Sequence, residues 1–138
     1  MERHPYLQQK ELIEFCQSNG IHVTNYSPLG SGGRAWKKDN EPVLLDDPKI
    51  AEIAKNYNCT SAQVILAWAL QTGTSVAVKS VSPKRLAENL AAEEINLREE
   101  DMKSIENLGR HYRFIHGRFF AVKGSSYTVE NIWDEKIA

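Results

Sequence analysis

Ile21-His22-Val23-Thr24-Asn25-Tyr26-Ser27-Pro28-Leu29-Gly30-Ser31-Gly32-Gly33, residues 21–33, is the stretch on which the fold turns. Its first half is rich in β-branched side chains and predicts a short strand. Ser27-Pro28 and the glycines after them stop that strand, and residues 27–46 show little periodic pattern. Loops of such length inside compact domains are commonly functional.

On either side of this stretch the chain reads as helix. Residues 8–19 place Leu12, Ile13, Phe15 and Cys16 on one apolar stripe, ended by Asn19-Gly20. Downstream, Asp47 is a cap and Pro48 a first helical residue, with Ile50, Ile53, Ala54 and Tyr57 as the buried face. Thr60 and Gln63 have capping-box spacing and open a helix to about Gln71, which Gly73 terminates. Val76-Ala77-Val78 predicts a second strand, and its lack of alternation predicts a central parallel strand covered on both faces. Ser82-Pro83 starts another helix, to about Ala91. Residues 99–108 form the last one, with Met102, Ile105 and Leu108 inward. Strands alternating with helices predict an α/β protein with parallel crossovers. Only two strands are clear, with a trace of a third near residue 1, so the outer sheet edges are expected to be open.

The composition is that of an ordinary soluble domain: 138 residues, net charge -1, 41% apolar and 25% charged. That balance argues against a nucleic-acid surface, although Arg110 to Arg118 carries three arginines and two histidines beside Tyr112 and Phe114. Cys16 and Cys59 have no metal-ligand spacing, and no metal site is expected. No apolar run has membrane-spanning length and the first residues do not read as a signal peptide, so a cytoplasmic location is expected.

The order of three motifs carries more information than any of them alone. His4-Pro5-Tyr6-Leu7-Gln8-Gln9, then Val23 through Ser31, then Lys79-Ser80-Val81 with Arg85, Glu88 and Asn89, resembles the aldo-keto reductase family. The resemblance implies part of a (β/α)8 barrel: the end of the sixth strand, the last two strands, their helices and a C-terminal loop. Residues 1–109 would be barrel and 110–138 a tail bordering the substrate. Chemistry in such barrels sits at the C-terminal ends of strands.

By the same resemblance, Tyr26 would stack on a nicotinamide ring. Ser27, Leu29 and Ser31 would line the pyrophosphate. Lys79, Ser80, Val81 and Arg85 would clamp an adenosine 2'-phosphate, with Glu88 and Asn89 near the adenine end. These assignments imply NADPH as cofactor and a small carbonyl compound as substrate, with Phe119, Phe120 and Trp133 as pocket walls. The family's catalytic aspartate, tyrosine, lysine and histidine have no counterpart in this sequence, so no catalytic residue is expected here and the chain alone is expected to be inactive. A non-catalytic nucleotide-binding or protein-interaction module is the alternative, and the open strand edges predict self-association. Val78 stands where the family often has proline, which affects the local turn before Lys79.

Overall fold

The computed structural model describes residues 1–133. Among them the order is α1 (Lys10–Ser18), β1 (Thr24–Tyr26), α2 (Pro48–Asn56), α3 (Ser61–Gln71), β2 (Ser75–Ala77), α4 (Pro83–Leu90) and α5 (Glu99–Glu106), with short 3-10 turns between. β1 and β2 pair in parallel, with Thr24 opposite Ser75, Asn25 opposite Val76 and Tyr26 opposite Ala77. The trace of a third strand is a single parallel bridge from Glu2 to Tyr26. It is supported by Tyr26 N–H donating to the Met1 carbonyl at 2.8 Å. The architecture is therefore α/β with a small parallel sheet.

The core forms around α3, in which every residue from Val64 to Ala69 is buried. Its start is fixed by the expected capping box: Gln63 N–H donates to Thr60 Oγ1 at 3.2 Å and Thr60 N–H to Gln63 Oε1 at 3.0 Å. Ile50, Ile53 and Ala54 of α2, Ile105 of α5, Leu97, Tyr6, Leu44 and Phe114 pack into the same cluster. Each such large side chain contributes roughly 1.5–3 kcal/mol by leaving water.

Polar staples join the segments. Asp47 caps α2, accepting from Lys49 N–H at 2.9 Å, and its other oxygen accepts from the Tyr6 hydroxyl at 2.7 Å. Burial and the Asp47 carboxylate push the Tyr6 phenol up to about 12. Gln8 reaches the open C-terminal carbonyls of α5, donating to Ile105 at 3.1 Å and Glu106 at 2.8 Å. Arg98 caps α5 only by backbone. Tyr57 compensates by donating to Asp101 and accepting from Arg98 N–H.

Two expectations fail at the flanks. Ile13 and Cys16 are buried with Val23, but Leu12 is 44% and Phe15 61% exposed. The α1 stripe is thus only half covered, because α1 has a neighbour on one side. β2 is not a central covered strand either: it is an edge strand, Val76 is partly exposed and Ala77 exposed. α4, which follows it, has no buried residue and exposes Leu86 and Leu90. No helix among the described residues is long and apolar enough to cross a membrane.

Candidate functional site

Parallel pairing in register puts the C-terminal ends of β1 and β2 on one edge of the sheet. The Ser27 loop leaves from that edge, and Lys79 follows two residues after Ala77 on the same edge. Within β1, Asn25 is buried and its amide donates to Thr74 Oγ1 at 2.7 Å. Alternation then sends Thr24 and Tyr26 to the opposite, open face, where Thr24 Oγ1 lies 2.7 Å from Ser75 Oγ. Tyr26 is 37% exposed, and burial together with the negative charge of Glu2 pushes its phenol up.

The loop after Tyr26 is tightly wound. Ser27, Gly30 and Ser31 have φ values of 53°, 80° and 48°, all left-handed. Gly30 N–H closes a turn on the Ser27 carbonyl at 2.9 Å, and Ser31 Oγ donates to Ser27 Oγ at 2.7 Å. At Gly30 a Cβ would stand 3.1 Å from the Phe114 ring, so the close approach and the positive φ both call for glycine. Arg34 pins the loop from below, donating to the Gly30 and Ser31 carbonyls at 3.2 Å each and pairing with buried Glu41. The Leu29 side chain packs toward the core, leaving only its backbone for a ligand.

The other strand end is cationic. Lys79 and Arg85 are exposed, and neither joins an ion pair among the described residues. Ser82 caps α4 through a long 3.4 Å bond from Arg85 N–H, and Ser80 Oγ accepts from Ser82 N–H at 3.2 Å. The first turn of α4 has no acidic residue but holds Lys84 and Arg85. Cations there oppose the positive end of the helix dipole, an arrangement that a bound anion relieves. Glu88 lies 3.8 Å from Lys84, so it is turned toward its own helix. Asn89 shares a face with Arg85 by its i,i+4 spacing. Val81 is exposed and apolar, so its side chain offers an anion nothing.

The tail returns to this edge. Phe119 and Phe120 lie on a 3-10 turn with ring centroids 4.4 Å apart, and Phe119 lies 6.0 Å from Trp36 of the long loop. Trp133 sits separately: its indole donates to the His116 carbonyl at 3.0 Å, and the Arg113 guanidinium lies 4.0 Å from its ring centroid. Burial, with Arg118, Lys38 and Arg34 nearby, holds the His116 imidazole below its ordinary value. Trp36, Arg34, Glu2 and Arg113 were not legible as site residues. Nothing in their spacing distinguishes them, and only the folding of distant loops onto each other brings them here.

A sequence model of the Aldo/keto reductase family matches residues 1–110. The chain belongs to the aldo/keto reductase family. An aldo/keto reductase of Synechocystis is 50% identical over 137 residues, covering 98% of this chain and 42% of the relative. Aldo-keto reductase family 1 member A1-A of Danio rerio is 48% identical over 115 residues, covering 83% of this chain and 36% of its own length. The human family 1 member A1 is 41% identical over the same length, with 35% of it covered. The chain thus spans less than half the length of these aldo/keto reductases.

Proposed function

We propose that this chain is the nucleotide-gripping part of an NADPH-dependent aldo/keto reductase, built as a section of a (β/α)8 barrel. The observation that carries the reading is the exposed Lys79 just after β2 and Arg85 in the first turn of α4, neither in an ion pair among the described residues, on the strand edge that also holds Tyr26. Two cations, a serine hydroxyl and a helix N-terminus fit a phosphate monoester. The open ring of Tyr26 fits a flat heterocycle. The left-handed Ser27–Ser31 loop has hydroxyls and backbone for a pyrophosphate, although the Ser31 proton is engaged by Ser27 in the free chain.

NADPH, when bound, supplies the hydride that reduces a carbonyl carbon to an alcohol. This chain's residues would hold and orient it: Lys79 and Arg85 on the 2'-phosphate, Tyr26 against the nicotinamide, and Asn89 with Glu88 toward the adenine. Phe119, Trp36 and Trp133 would exclude water from the carbonyl compound. No residue here is assigned to protonate the product oxygen, so reduction by the 138-residue chain alone is not expected. Calorimetric titration with NADPH, with NADH in parallel, tests the reading. Saturable binding that favours NADPH supports it, and a folded chain that binds neither nucleotide refutes it. The uncovered apolar side of α4, Leu86 and Leu90, favours a second reading as a protein-interaction module. That reading predicts binding unchanged by loss of Lys79 and Arg85.

A further inference from the structure

Glu2 is a carboxylate with a fully buried side chain, one residue beyond Met1, on the segment that bridges to Tyr26. A buried carboxylate persists only where donors compensate its lost hydration. Here most of those donors come from the tail. Phe114 N–H donates to Oε1 at 2.8 Å, Ile115 N–H lies 3.3 and 3.2 Å from the two oxygens, and Arg113 Nη1 lies 3.4 Å from Oε2. His4 Nε2 adds a contact at 3.1 Å.

Beyond Ile115 the tail is closed largely on itself. Trp133 bonds the His116 carbonyl and underlies Arg113. A Cβ on Gly117 would stand 2.9 Å from Ile132, so the two ends of the 117–132 loop touch. Toward the rest of the protein it meets Trp36 through Phe119, and His116 at its base lies near Lys38 and Arg34. The loop is thus a self-contained unit hung from the residues that Glu2 binds.

We infer that Glu2 is the clasp that sets residues 115–133 across the Tyr26 end of the sheet, and that loss of its negative charge releases the Phe114 and Ile115 amides and frees this segment as a unit, while the Phe114 ring and the core around α3 stay packed. Glu2 is therefore a positioning residue, acting through the tail's backbone. Its bearing on a substrate pocket rests on the reductase reading; the anchoring does not. The charged and titratable groups facing it are His4 on its own segment, Tyr26 of β1, Arg34 of the long loop, and Arg113 and His116 of the tail. Burial pushes the Glu2 carboxyl up, but the His4 hydrogen bond and charge, the Phe114 N–H and Arg113 outweigh it and hold the group below its ordinary range.

The test is residue-resolved amide hydrogen exchange on the full chain and on Glu2→Gln, without nucleotide, so that its outcome is separate from the calorimetry. Loss of a hydrogen bond to a charged group predicts that Phe114 and Ile115 lose about tenfold or more of their protection, with Val64 to Ala69 unchanged. Unchanged protection at Phe114 and Ile115 overturns the clasp. If Glu2→Gln does not fold, exchange in the unmodified chain is followed as pH falls below the carboxylate range. Release of residues 114 and 115 before the α3 amides supports the clasp, and simultaneous release overturns it.

Discussion

Tyr26 and Ala77 stand opposite each other at the ends of two parallel strands, so Ser27 and Lys79 follow from one edge of the sheet. Parallel pairing alone thus brings the aromatic Tyr26 and the cationic Lys79 to one edge, with α2 and α3 filling the crossover between the strands. The clamp gives the first prediction. Lys79→Ala and Arg85→Ala should each weaken NADPH binding by about tenfold or more, since a charge-assisted hydrogen bond is worth about 1.5–3 kcal/mol. NADH binding, lacking the 2'-phosphate, should change little. Parallel titrations of both variants check this, and equal losses for the two nucleotides would remove the clamp assignment.

The local signals in the sequence were reliable where the chemistry is local. Asp47-Pro48, Thr60 with Gln63 and Ser82-Pro83 all start helices as capping residues do, because a cap needs only neighbours within one turn. The two strands were legible from their short β-branched or apolar runs. Burial was less so: Leu12 and Phe15 share the apolar stripe of α1, yet stand in solvent, as do Leu86 and Leu90 of α4. Amphipathic period tells which face is apolar, and only the surrounding elements decide whether that face is covered. Glu2 and Arg34 were invisible as organisers because their partners, Phe114, Ile115 and Glu41, are chosen by loop folding.

Caps should differ in worth according to their geometry. Thr60→Ala should cost about 1 kcal/mol, the usual value for an N-cap. Asp47→Ala should cost more, because it also strands the buried Tyr6 hydroxyl, which donates to Asp47 at 2.7 Å. Ser82→Ala should cost least, since its bond from Arg85 N–H is 3.4 Å long and α4 buries nothing. Urea denaturation of the three variants gives the order, and a Ser82→Ala loss as large as that of Asp47→Ala would contradict it.

Acid should destabilise the fold in two stages. Burial holds the His4 imidazole below its ordinary value of 6.5, despite the nearby Glu2. A base with a depressed folded pKa binds fewer protons in the native than in the unfolded state, so stability falls as pH drops below about 6.5. Glu2 has a depressed folded pKa as well, so its contribution is present above its unfolded value of 4.5 and is lost as pH falls through the folded value. Thermal midpoints measured from neutral to acid pH should decline below 6.5 and then more steeply. His4→Gln, if it folds, should remove the first decline and keep the second.

The two uncovered flanks make a prediction about association. One set is Leu12, Phe15 and Ile21 on and after α1; the other is Val81, Leu86 and Leu90 before and on α4, and β2 is an edge strand among the described residues. Exposed strand edges and contiguous apolar surface both favour pairing with another chain. The isolated 138-residue chain should therefore run larger than its 15.6 kDa mass in size-exclusion chromatography with light scattering. Phe15→Lys and Leu90→Lys place a charge on each flank without touching a buried residue, so they should shift the chain toward monomer and leave the helical signal intact. A wild-type chain that is monomeric at high concentration would show that these flanks are tolerated in water, and the open edge would then carry no assembly role.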